Sequence, residues 1–338
     1  MSAALHNGFA RVREQQWFPV AVFTSLALLL GATLILGISL GAIQLTPAEI
    51  WQGLVGPDDF EWHRVVWDIR LPRVLLAGLV GMNLATSGTI LQAIMGNPLA
   101  DPGIIGISSG AGLFAVVILL VFPELQPLVP IVAFIGAMGA AVTIYILAWR
   151  GGIQPMRIVL AGVAVSTLCG AGISAVMVLF GERVQGALMF MNGSLSLRGW
   201  TEVRMIWPYS VLALVAAVVC VRRLDVIVLG DDIARSMGMN VQGNRIFLTA
   251  VAALLAAGSV SAVGLLGFVG LIVPHIMRMV IGTRHALLIP GSILFGAALV
   301  MFSDTAARTL FSPIEIPVGI AMAVLGVPFF LFLLRRAI

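Results

Sequence analysis

Nine apolar runs, most of them long enough to cross a lipid bilayer, leave this chain few folds to choose from. They cover residues 17–40, 74–95, 104–122, 128–149, 158–180, 205–221, 246–281, 286–302 and 316–334. A hydrocarbon core about 30 Å thick takes about 20 apolar residues of helix. Within it every backbone N–H and C=O must be bonded inside the protein, which restricts the segments to helices. The run at 246–281 is about twice what one span needs and is interrupted by Gly258, Ser259, Ser261 and Gly264, so it reads as two helices. The expectation is an all-α polytopic membrane protein of about ten transmembrane helices, with residues 1–338 as one domain. Composition agrees: only 10% of residues are charged, against about 25% in a soluble domain. The first run is too long for a signal-peptide core and reads as a retained span.

Ten spans put both termini on one side, and arginine indicates which. With the N-terminus inside, the cytoplasmic ends collect Arg11, Arg13, Arg150, Arg157, Arg222, Arg223, Arg235, Arg245, Arg278, Arg284, Arg335 and Arg336. That is about 12 against about 7 outside, the sense of the positive-inside rule. The net charge of +4 therefore reports orientation and gives no reason to expect nucleic acid. Two sets of five would run in opposite directions, which permits an inverted repeat, although the halves show no residue-level match.

Between the sixth and seventh runs lies a short polar stretch, LGDDIARSMGMN, at residues 229–240. Asp231 and Asp232 suit a helix start and Gly238 a helix end, so the stretch reads as a helix of about two turns outside the membrane. Ile233 and Met237, four apart, would offer a small apolar ridge to a partner in the cytoplasm. An ordinary solvated loop is the other reading.

Three further features call for more than packing. The segment NPLADPG, residues 97–103, breaks the helical pattern with two prolines, an aspartate and a glycine, as a tight turn or a gate. In GFVGLIVPHIMR, residues 267–278, His275 reads as a helix-end hydrogen-bonding residue sooner than a proton carrier, because no acid nearby completes a relay. Arg70, Arg73 and Arg308 sit at the outer ends of spans. They suit either carboxylates on a docking protein or local partners such as Asp68 and Asp304. The small residues Gly78, Gly81, Gly88, Gly106, Gly110, Gly136 and Gly139 read as close helix packing. Thr86, Ser87, Thr89, Ser108 and Ser109 could line a polar path or bond their own helices.

What is missing also narrows the chemistry. All nineteen basic residues are arginine, so the chain has neither a GxxxxGK nucleotide loop nor a Schiff-base lysine. Any ATP that powers it is hydrolysed by another chain. Cys169 and Cys220 lie in apolar runs with no metal-ligand spacing, and no cofactor, metal or catalytic residue is expected.

Five fragments in series, RLPRVLLAGLVG, LQAIMGNPLADPGIIGISSGAG, LGDDIARSMGM, GFVGLIVPHIMR and EIPVGIAMAVLGVPFF, resemble the FecCD family of ABC-transporter permeases, whose members import iron-siderophore complexes, haem or cobalamin. The resemblance covers essentially the whole chain and implies a BtuC-like type II importer fold in a bacterial inner membrane. It implies that Asp231, Asp232, Ile233, Ala234, Arg235, Ser236, Met237 and Gly238 seat in a cleft of an ATPase subunit. Arg70, Arg73 and Arg308 match arginines that meet a periplasmic substrate-binding protein. Asn97, Pro98 and Leu99 match a cytoplasmic constriction, with Gln154 and Pro155 as its second part in place of the small hydroxyl residues of some relatives. The partners implied are two ATPase copies and a second permease, identical or paralogous. An iron-siderophore complex is the cargo expected first, with haem and cobalamin as alternatives. Two readings outside the family are an ion-coupled secondary transporter, disfavoured by spans nearly free of charge, and a membrane scaffold that moves nothing.

Overall fold

The computed structural model describes residues 17–41, 43–57, 62–103, 106–149, 155–310, 312 and 314–337. Fourteen α-helices account for most of them: α1 (Trp17–Ser39), α2 (Pro47–Val55), α3 (Leu71–Met95), α4 (Ile107–Val121), α5 (Val129–Ala148), α6 (Pro155–Leu179), α7 (Val184–Met191), α8 (Trp200–Val219), α9 (Val221–Ile227), α10 (Asp231–Ser236), α11 (Val241–Val263), α12 (Val269–Ile281), α13 (His285–Thr309) and α14 (Val318–Ala337). By length and composition seven are able to cross a membrane: α1, α3 with the π-helical turn Arg64–Arg70 that leads into it, α5 with the 3-10 turn before it, α6, α8, α11 and α13. Three shorter apolar helices, α4, α12 and α14, occupy the remaining predicted spans. Helices α2, α7, α9 and α10 lie in the connections.

α3 is the centre of the bundle, almost wholly buried and packed against α13, α11, α12 and α8. Close approach is possible because glycine faces glycine: Gly81 meets Gly296 of α13, and a Cβ at Gly88 would overlap the carbonyl of Gly270 in α12. Its polar side chains bond neighbouring helices, Asn83 Nδ2 donating to Ser210 Oγ (2.7 Å), Ser87 Oγ to the carbonyl of Ala252 (2.7 Å) and Gln92 Nε2 to the carbonyl of Gly270 (3.0 Å). Thr89 bonds both its own helix, at Ala85, and Ser292 of α13. Bonds of this kind are worth about 0.6 kcal/mol each in membrane proteins. They set how the helices are rotated, while the glycine-mediated contact holds them. The packing reading of the glycines applies to Gly110 and Gly136, which face each other across α4 and α5. It fails at Gly139, which meets nothing within 4 Å; at Gly106 it holds against Ile144 and Gly162, and the φ of 85° is a second reason for glycine there.

The 246–281 run forms two helices as expected, and of the four small residues read as its break only Gly264 marks it. Gly258, Ser259 and Ser261 lie inside α11, where Gly258 makes room for the Tyr209 ring. The chain turns at residues 264–268, with Gly264 at φ 82° and Phe268 at φ 68°. A phenylalanine in the left-handed region is unusual. Here its ring packs over Gly326 of α14, where a side chain would collide with it.

α4 and α12 have 15 and 13 residues, about 22 and 20 Å, shorter than the hydrocarbon core. Both begin inside the bundle. Gly270, eleven residues before the end of α12, lies about 16 Å in from that end, and the carboxylate of Asp101 is against it. Residues 97–103 therefore turn back into the protein before α4 starts.

Candidate functional site

Three constellations gather at the two ends of the bundle. The first is α10, bracketed by Gly230 at φ 103° and Gly238 at φ 80°, conformations that residues with a Cβ resist. The Met239 N–H donates to the carbonyl of Ala234 and the Gly238 N–H to that of Arg235, which stops the helix after six residues, shorter than the two turns expected. Arg245 of α11, itself buried, donates from both Nη atoms to the Asp231 carboxylate, the closer contact at 2.9 Å. Arg235 reaches Asp231 and Asp232 at 3.6 and 3.5 Å, but exposed pairs of this kind contribute little. The Asp231–Arg245 pair is what bolts α10 to a spanning helix. With Ala234 buried beneath, Ile233 (50% exposed) and Met237 (61% exposed) point outward beside Val228 and Leu229, also exposed. The apolar ridge read from the spacing is present and uncovered, and an exposed apolar patch rimmed by charge marks an interaction surface.

At the same end is the re-entrant segment. Asn97 and Pro98 are exposed at its mouth, Leu99 is half-buried, and Ala100 to Pro102 are buried. Its backbone is satisfied locally, Leu99 N–H donating to Asn97 Oδ1 (2.9 Å) and Gly103 N–H to Asp101 Oδ1 (2.8 Å). Non-helical backbone at this depth survives only with such partners. Pro155, the first residue of α6, is half-buried, and Gln154 lies outside the described residues. Gln92 joins this region to the end of α12, accepting from Arg278 while donating to Gly270. The His275 ring meets Phe329 of α14 edge-on, with centroids 6.0 Å apart.

The far end holds the three arginines, and of the two readings open for them the chain shows local partners. All three are buried. Arg70 donates to the carbonyls of Ile38 (2.6 Å), Ser39 (2.9 Å) and Ile43, closing the end of α1. Arg73 forms a fork with Asp304 of α13 (Nη2 to Oδ1, 2.9 Å; Nε to Oδ2, 3.0 Å) and reaches Glu315 at 3.0 Å. Arg308 donates to the carbonyl of Gly37 and lies 3.8 Å from Asp304. Of the two local acids expected, Asp304 is the partner used. Glu315 also accepts from Ser196 Oγ at 2.7 Å. Burial alone would raise its carboxyl, but Ser196, Arg73 and Arg308 together hold it below the ordinary carboxylate range.

Sequence reasoning missed Glu315, Gln92 and one further contact at the α10 end. Asp225 of α9 accepts from the backbone N–H of His285 (2.9 Å) and lies 2.7 Å from its Nδ1. Glu315 is 242 residues from Arg73, and Asp225 is 60 from His285, so neither pairing leaves a local signal.

The model of the FecCD transport family matches residues 28–336, nearly the whole chain. This protein is a member of the FecCD transport family. Among curated FecCD relatives, the Fe(3+)-citrate import system permease protein YfmE of Bacillus subtilis is 38% identical over 96% of this chain and 98% of its own length. The hemin transport system permease protein HmuU of Yersinia pestis is 39% identical over 88% and 90%, and the cobalamin import system permease protein BtuC of Halobacterium salinarum 41% over 80% and 73%. A solved structure of an inward-facing metal-chelate type ABC transporter superposes with a TM-score of 0.85 at 28% identity, covering 94% of this chain and all of the other. The chain is a multi-pass membrane protein of a family of importer permeases.

Proposed function

We propose that this FecCD protein is the membrane-spanning subunit of an importer that moves a ferric chelate of the citrate or siderophore type into the cytoplasm, with ATP hydrolysed by a separate pair of subunits. The observation that carries the reading is the uncovered ridge of Ile233 and Met237 on a helix bolted by Asp231–Arg245 to a spanning helix. An ATPase gripping residues 231–238 can move the bundle only through contacts that differ between two states, and a rigid attachment transmits such a difference.

In this reading residues 1–338 form one permease domain in a bacterial inner membrane, with both termini and α10 in the cytoplasm, where the positive-inside rule puts them. A second permease, identical or paralogous, completes the path. Residues 97–99, with Gln154 and Pro155, form its cytoplasmic constriction, the polar mouth of the re-entrant segment. A substrate-binding protein docks on the far end. Docking by Arg70, Arg73 and Arg308 requires these groups to leave internal partners. Arg73 has the easiest route, because Glu315 is 44% exposed at its side chain and can be exchanged for a partner's carboxylate.

The cargo is tested by reconstituting the chain with the ATPase and binding protein encoded beside it and following uptake of labelled ferric citrate, a ferric hydroxamate, haem and cobalamin in parallel. ATP-dependent accumulation of a ferric chelate is the expected result. Uptake of haem or cobalamin alone, the cargoes in the names of two similar relatives, would overturn the ferric assignment and keep the permease reading.

A further inference from the structure

α13 carries an ionic or capping contact at each of its two ends. At the far end Asp304 and Arg308 belong to it, and Arg73 of α3 is locked onto Asp304. At the α10 end its first residue, His285, gives both its N–H and its Nδ1 edge to Asp225 of α9. The free N–H groups of a helix's first turn are normally capped by a residue just upstream. Arg284, the residue in that position, makes no side-chain cap, and the acceptor comes instead from another helix sixty residues earlier. α9 is the arm that carries α10: only Val228, Leu229 and Gly230 separate them, and Leu224 and Ile227 seat it on the bundle. With 25 residues α13 spans about 37 Å as one element.

We infer that Asp225 is a positioning residue that latches the ATPase-contacting arm to the first turn of α13, making α13 the rod through which docking at the far end reaches the ATPase. The inference rests on the functional reading above and deepens it. The side chains at the two ends do different work. The Asp304 cluster makes the rod respond to what lands outside, and the Asp225 cap makes the arm follow the rod. Without the cap, α10 still grips the ATPase through its Arg245 bolt and apolar ridge, but rod and arm no longer move together.

The test uses the full assembly, chain plus ATPase in nanodiscs, with and without the binding protein. In Asp225→Ala the ATPase still co-purifies and basal hydrolysis is unchanged, while stimulation by the binding protein falls about fivefold or more, the effect of losing one cap contact in the coupling between sites. Asp225→Asn keeps an oxygen for the His285 N–H and retains stimulation within about twofold of wild type. A merely structural role would lower assembly, basal and stimulated hydrolysis together, in step with the thermal midpoint, and that result overturns the inference. So does full stimulation in Asp225→Ala. Failure of the underlying reading looks different: the wild-type chain itself would bind no ATPase.

Discussion

Asp304→Ala will lower the thermal midpoint of this protein markedly. Its carboxylate is almost fully buried and is the counter-charge for Arg73, with Arg308 close behind. Removing one partner of a buried pair costs about 3–5 kcal/mol when the other charge is left uncompensated. Glu315 compensates in part, since it still pairs with Arg73 from the more exposed side, so the loss should lie toward the lower end of that range. Asp304→Asn keeps an acceptor and loses only the charge, so its loss should be smaller. Thermal unfolding in detergent, followed by tryptophan fluorescence, checks the order: wild type above Asn above Ala. Equal midpoints for wild type and Asp304→Ala would show that the arginines find other partners.

The second large effect is expected at the opposite end and leaves stability alone. Ile233→Asp with Met237→Asp places two charges on a face that is exposed in the chain and that the proposed function buries against an ATPase. The folded chain loses nothing, since neither side chain is part of its core. The complex loses about 2 kcal/mol or more, at least about thirtyfold in affinity, the scale of a central interface residue. The double variant should purify with an unchanged thermal midpoint and without ATPase. Unchanged co-purification would move the contact away from α10.

Element types and order were legible because they depend on local pattern: apolar length for the spans, and Asp231 followed by Gly238 for a helix that starts and stops. That Ile233 and Met237 share one face follows from their four-residue spacing; that the face points outward is seen only in the fold. The shortness of α4 and α12 was not legible, since both are set by where the chain re-enters the bundle. The turn at 264–268 was located at Gly264 but started too early, for a related reason. Glycine and serine at 258–261 look like a break, yet small residues inside a buried helix also admit a neighbour, and Tyr209 is that neighbour. The arginines show the same limit in part. Asp304 was among the local partners open to them and is the one Arg73 takes, but Glu315, 242 residues away, left no signal that it would join the pair.

One experiment separates an ATP-driven permease from an ion-coupled carrier with the same number of spans. Proteoliposomes containing this chain, its ATPase and its binding protein are loaded with ATP inside or left without it, and uptake of labelled ferric chelate is followed with the proton and sodium gradients either imposed or collapsed by ionophores. The account predicts uptake whenever ATP is present, unaffected by collapse of the gradients, and none without ATP. Accumulation driven by a gradient alone, in vesicles without ATP, would contradict it.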